Sequence, residues 1–108
     1  MPKHKFGILP DPPGPDQQYH YEPQRYGCAA VQDDDLLPLA KRLRGVRCCW
    51  HTIDRPEWGL AWCGITLIPP ESLDAMLEIV WKNERLSDLF AVLSKAQREG
   101  SWVIHFGI

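Results

Sequence analysis

The chain has 108 residues, of which 44% are hydrophobic and 24% charged, and its formal net charge is −2. A domain of that length buries roughly two-thirds of its unfolded surface, so stability requires neither a disulfide nor a structural metal. A charge so near zero gives no general drive towards nucleic acid or an anionic membrane. The longest apolar stretch, Leu60 to Ile68, is about half of what a membrane-spanning helix needs, and the first residues lack the apolar core of a signal peptide. These features predict one domain over residues 1–108 in the cytoplasm, with its four cysteines as reduced thiols.

Lys3 to Leu9 contains Phe6 and Ile8 and reads as a first strand, ended by Pro10. Residues 10–25 hold Pro10, Pro12, Pro13, Pro15 and Pro23. Missing donors and fixed φ exclude a helix or a central strand there, which leaves an ordered proline-rich arm or a mobile loop, and Tyr19 and Tyr21 favour an arm packed on the domain. Tyr26 to Val31 is a second short strand. Asp33, Asp34 and Asp35 then precede Leu36, Leu37, Leu39, Ala40 and Leu43. In this helix Pro38 is tolerable only inside the first turn, which puts the cap at Asp34 or Asp35. Lys41, Arg42 and Arg44 complement the helix C-terminus, and Gly45 stops it.

Val46 to Ile53 and Leu60 to Ile68 are rich in β-branched and aromatic residues and read as a hairpin joined by residues 54–59. Pro69 and Pro70 end the second strand. Leu73, Met76, Leu77, Val80 and Trp81 recur at helical spacing. Asn83 breaks that helix, and Ser87 caps another with Leu86, Leu89, Phe90 and Leu93 on its inner face. Gly100 closes it, and Trp102 to Ile108 alternates as a last strand. Lys5-Phe6-Gly7-Ile8 resembles His105-Phe106-Gly107-Ile108, too short a match for a repeat, but one that fits two neighbouring strands. The predicted fold class is α+β: a mainly antiparallel sheet of four or five strands, with two or three helices packed on one face.

Pairing Ile53 with Leu60 puts Trp50 opposite Cys63, Cys48 opposite Ile65 and Val46 opposite Leu67, an apolar set for the helices. The other face then carries Arg47, Cys49, His51, Trp62, Gly64 and Thr66. If Trp102, Ile104 and Phe106 are buried under the helices, His105 joins that second face. Burying Phe6 and Ile8 sends Gly7 there too. Such a face is either covered by the arm, with tyrosines filling the glycine gaps, or open to a ligand.

Cys49 and His51, two apart on one strand, place a thiol beside an imidazole, the arrangement of an activated nucleophile. No local signature supplies the oxyanion donors that catalysis also needs. Cys48, Cys49, His51 and Cys63 are zinc-ligand types without paired C-x₂-C spacing, so neither a metal nor a cofactor is expected. Lys41, Arg42, Arg44 and Arg47 cluster, but no aromatic-basic sheet motif accompanies them, which argues against nucleic acid. No phosphate loop, G-x-S-x-G or H-E-x-x-H is present.

Of the five tryptophans, Trp50 and Trp102 read as core and Trp81 as part of a helix stripe. Trp58 in the turn and Trp62 on the second face are left over, and exposed tryptophans are enriched at binding hot spots. The best reading is a small non-catalytic binding module using Trp58, Trp62, Arg47, Tyr19 and Tyr21. It would take a protein partner or form a homodimer through an edge at Trp102 to Ile108. The alternative is a thiol or metal site on Cys49, His51 and His105.

Overall fold

The computed structural model describes residues 2–108. Six strands form one antiparallel sheet: β1 (Lys3–Ile8), β2 (Ala29–Gln32), β3 (Arg47–Trp50), β4 (Pro56–Trp58), β5 (Ile65–Ile68) and β6 (Val103–Phe106). Their order is β2-β1-β6-β5-β3-β4. β1 and β6, the two look-alike segments, are neighbours, with Lys5 opposite Phe106 and Ile8 opposite Val103. β6 also pairs with β5. It is therefore a central strand, and the edge expected at Trp102 to Ile108 does not exist.

The helical segments are α1 (Asp33–Leu36) and α2 (Ala40–Leu43), joined by a 3₁₀ turn at Leu37–Leu39, then α3 (Leu73–Val80) and α4 (Ser87–Glu99). Pro38 lies within the 3₁₀ turn and splits the predicted helix, as a residue without N–H must when it falls beyond the first turn. The helix also starts earlier than expected. Gln32 is its N-cap, without a side-chain cap bond, and Asp33, Asp34 and Asp35 all lie in its first turn. Gly100 ends α4 in the left-handed conformation at φ 66, as its missing Cβ allows.

The sixth strand comes from the segment read as a turn. His51 turns the chain at φ 68, and Trp50 N–H donates to the Arg55 carbonyl. Residues 56–58 thus fold back along the outside of β3, with Arg47 opposite Trp58 and Cys49 opposite Pro56. The predicted hairpin register is consequently wrong by three residues: Trp50 faces Thr66 and Cys49 faces Leu67. An odd slip exchanges the faces of a strand. Ile65 and Leu67 turn away from the helices, while Thr66 and Ile68 turn towards them. β6 is exchanged likewise, with Val103 and His105 on the helix side and Ile104 and Phe106 on the other.

The exchange goes unseen in the sequence because both sheet faces are buried. On one side Phe6, Val31, Cys48, Ile68 and Val103 pack on Leu36, Leu43, Leu73, Met76, Leu89 and Leu93. On the other, Leu9, Ile65, Leu67, Ile104 and Phe106 meet Tyr19, Tyr26, Cys28, Cys49, Ile53 and Trp102. The segment that follows β1 lies over this second face. The Tyr21 hydroxyl donates to the Gly107 carbonyl at 2.8 Å, and a Cβ on Gly7 would strike Tyr26 and Cys28. Among the described residues, no helix is long and apolar enough to cross a membrane.

Candidate functional site

The residues singled out from sequence divide into three places. Cys49 is on the covered face, packed with Leu67 and its neighbours, and burial raises its thiol pKa. His51 is exposed at the corner after β3, its ring against Gly64, where a Cβ would lie 2.9 Å from Cε1. His105 is fully buried on the helix side, with the sheet between it and Cys49. The structure therefore does not bring Cys49, His51 and His105 together. Among the described residues, no three His, Cys, Asp or Glu side chains are grouped to hold a metal ion. Cys63, expected opposite Trp50, is exposed. Tyr19 and Tyr21 belong to the covering of the second face. Burial beside Tyr26 and Asp11 raises the Tyr19 hydroxyl, and the Tyr21 ring meets Phe106 edge-on at 5.3 Å.

Trp58 and Trp62, by contrast, do meet. A cavity of about 330 Å³ lies between the Leu37–Arg44 segment and the β3–β4 pair, lined by Leu37, Leu43, Arg44, Trp50, Trp58 and Trp62 together with Ala40, Gly59 and Leu60. Gly59, at φ 86, lets β4 approach the end of α2 so closely that a Cβ there would be 3.2 Å from the Arg44 Cα. The Trp50 indole N–H donates to the Gly59 carbonyl at 2.9 Å and ties the wall to the strand. Trp58 is 58% exposed and Leu37 53% exposed. The Arg47 guanidinium stands 5.7 Å from the Trp58 ring centre, and that of Arg55 stands 5.9 Å from the Trp50 ring, both within cation–π reach.

Trp62 connects this cleft to a buried polar chain. Its indole N–H donates to Asp33 Oδ1 at 2.8 Å, and the same oxygen takes His4 Nε2 at 2.8 Å. His4 Nδ1 is 2.9 Å from His105 Nε2, and His105 Nδ1 is 3.0 Å from the Thr66 hydroxyl. That hydroxyl accepts the backbone N–H of Ala61 at 2.8 Å. An ionised carboxylate only accepts, so His4 carries its proton on Nε2. Each ring nitrogen of the two histidines has one partner, and the donor and acceptor roles between His4, His105 and Thr66 follow from the tautomer. Burial, with His4 adding to it, holds His105 well below the usual imidazole range. The hydrogen bonds from His4 and Trp62 hold Asp33 below the usual carboxylate range against the effect of burial. Thr66 is fully buried, so this hydrogen-bonded network ends inside the fold. Its role is to fix Trp62 and the 60–64 loop.

Sequence reasoning missed Leu37, Leu43, Arg44 and Trp50 as cleft residues and His4 and Asp33 as its support. No spacing signal exists for them, because the cleft is assembled across β3, β4 and the 37–44 segment only once the fold is complete. Trp81, expected in the buried stripe of α3, is 60% exposed at its end and lies 5.6 Å from the Phe90 ring. No known protein family, curated protein or solved structure matches the chain.

Proposed function

We propose that the chain is a small non-catalytic binding module that receives a protein partner at the tryptophan-lined cleft. The observation that carries this reading is the exposure of Trp58 and Leu37, at 58% and 53%, on one preformed cavity whose wall is apolar apart from Arg44. An exposed aromatic anchor beside a rigid apolar pocket is the usual make-up of a binding hot spot. Leaving that surface in water has no structural benefit. The test is pull-down from the native cell lysate with the wild-type chain, Trp58→Ala and Leu37→Asp, all three first shown to melt alike. A partner retained by wild type and lost from both variants is the expected result. Equal recovery by all three would overturn the reading.

A homodimer is a second reading, favoured by the outer edge of β2 rather than by β6. Asp33 N–H bonds the Pro2 carbonyl, and the register of β1 with β2 then leaves the N–H and C=O groups of Ala30 and Gln32 pointing outwards. Among the described residues no strand pairs there, and the buried Gln32 Oε1 has no partner. Light scattering of wild type and Ala30→Pro decides this reading: a dimer that the proline abolishes supports it, and a monomeric wild type overturns it.

A further inference from the structure

The cleft's own hydrogen bonding restricts what can enter it. Two of its three indoles have spent their N–H groups within the fold, Trp50 on Gly59 and Trp62 on Asp33. Away from Arg44, a polar group pushed inside would find ring faces and aliphatic side chains, and would lose its water without replacement. The inserted part of an occupant is therefore apolar. At about 330 Å³ the space is at the small end of ligand pockets, which run from about 300 to 1,000 Å³. It takes one large side chain rather than a cofactor.

The rim has the opposite character. Arg25, Arg55 and Arg85 each stand within ion-pairing distance of a carboxylate, whereas among the described residues Arg42, Arg44, Arg47 and Arg98 do not; of these four, Arg44 and Arg47 stand at the cleft. Arg44 is part of the cavity wall, and the Arg47 guanidinium lies over Trp58. Two uncompensated guanidiniums thus flank one apolar hole on a chain whose net charge is −2. Such local positive charge steers and orients an anionic partner, and planar guanidinium pairs best with carboxylates.

The neighbouring strand edge narrows the mode of docking. Gly59 N–H bonds the Val46 carbonyl, and Trp50 N–H bonds the Arg55 carbonyl. By alternation Glu57 faces β3, while Pro56 and Trp58 face outwards. Pro56 has no N–H, so the edge offers one outward donor, that of Trp58. A strand added there would gain few ladder bonds, so side chains carry most of the contact.

Resting on the binding reading above, we infer that the partner presents an acidic polypeptide segment. One bulky apolar side chain of it inserts among Trp50, Trp58 and Trp62, and flanking carboxylates pair with Arg44 and Arg47. The test is selection of a phage-displayed random peptide pool on the immobilised full chain. Wild type, Arg44→Gln/Arg47→Gln and Trp58→Ala are compared after equal melting temperatures are verified. Enriched sequences are expected to carry a leucine or aromatic residue flanked by Asp or Glu. Their synthetic versions are expected to bind at least about tenfold more weakly to the double arginine variant, a loss of about 1.4 kcal/mol, and to weaken as salt is raised. Apolar peptides without acidic bias that still require Trp58 would overturn the acidic partner and leave the cleft standing. Peptides held equally by Trp58→Ala would overturn the cleft itself. No enrichment, or displacement of the peptides by single-stranded oligonucleotide at equal concentration, would also overturn the inference.

Discussion

At the scale of single residues, the Asp33–His4–His105–Thr66 chain makes the protein sensitive to acid. Unfolded His105 takes up a proton near the ordinary value of 6.5, while the folded ring resists until well below it. The unfolded state therefore binds more protons as pH falls through 6.5, and folding stability falls with it. The slope for this one group is at most about 1.4 kcal/mol per pH unit. Asp33, whose folded pKa is depressed from 3.8, acts in the same direction at lower pH, its contribution being lost as pH falls through the folded value. Urea unfolding at pH 7.5, 6.5 and 5.5 is expected to show this decline, and His105→Gln to flatten it while lowering stability at every pH. Asp33→Ala strips the acceptor from His4 Nε2–H and Trp62 Nε1–H together. Lower stability is expected in the same measurement at pH 7.5, because both donors lose their acceptor. Unchanged stability would mean that water replaces the carboxylate without penalty.

At the scale of elements, most of the sequence was legible where one physical signal acted alone. The stripe Leu73–Met76–Leu77–Val80 and the run Leu86–Leu89–Leu93 each have a single buried side, and α3 and α4 form where that spacing predicts. The proline-rich arm was legible for a similar reason, since so many missing donors leave few alternatives. What was not legible is the phase of β5 and β6. Trp102, Ile104 and Phe106 are apolar, and so is Val103. With cores on both faces, alternation does not say which side meets helices. β4 was hidden because Pro56 and Gly59 carry turn chemistry. Proline at an edge strand is nonetheless permitted, and the reversal occurs at His51, a residue whose φ of 68 no sequence pattern announces. The site suffered most: a cleft built from three elements depends on register, a three-residue error moved Trp62 and Thr66 to the wrong surroundings, and the inverted phase of β6 moved His105. Gly107, just past β6, is closely approached by backbone. Its N–H bonds the Gly64 carbonyl at 2.8 Å, Ile108 N–H bonds the Trp62 carbonyl at 3.0 Å, and a Cβ at position 107 would collide with that same carbonyl. Gly107→Ala is therefore expected to cost about 1–3 kcal/mol and to shift Trp62 fluorescence. An unchanged melting temperature would contradict the close approach.

At the scale of the whole molecule, the sheet is the middle layer between helices and arm, and the four thiols report that arrangement. Cys63 is exposed, Cys28 and Cys49 are half-buried, and Cys48 is buried, with its thiol pushed up to about 12. Alkylation of the native protein followed by peptide mass mapping is expected to label Cys63 first. Cys49 and Cys28 should follow slowly, because burial also raises their thiols. Cys48 should be labelled only when the protein unfolds. Rapid labelling of Cys49 would mean that the arm leaves its face. The layered arrangement also sets the order in which the molecule comes apart. β5 and β6 have a strand on either side and a core above and below, so no local fluctuation can reach their amides without dismantling both cores. In deuterium their central protons are expected to exchange last, at a rate set by the global unfolding equilibrium. The outward N–H of Trp58 on β4 should exchange almost at once. The cleft thus sits at the margin of the sheet, where opening costs least, while the interior strands stay closed.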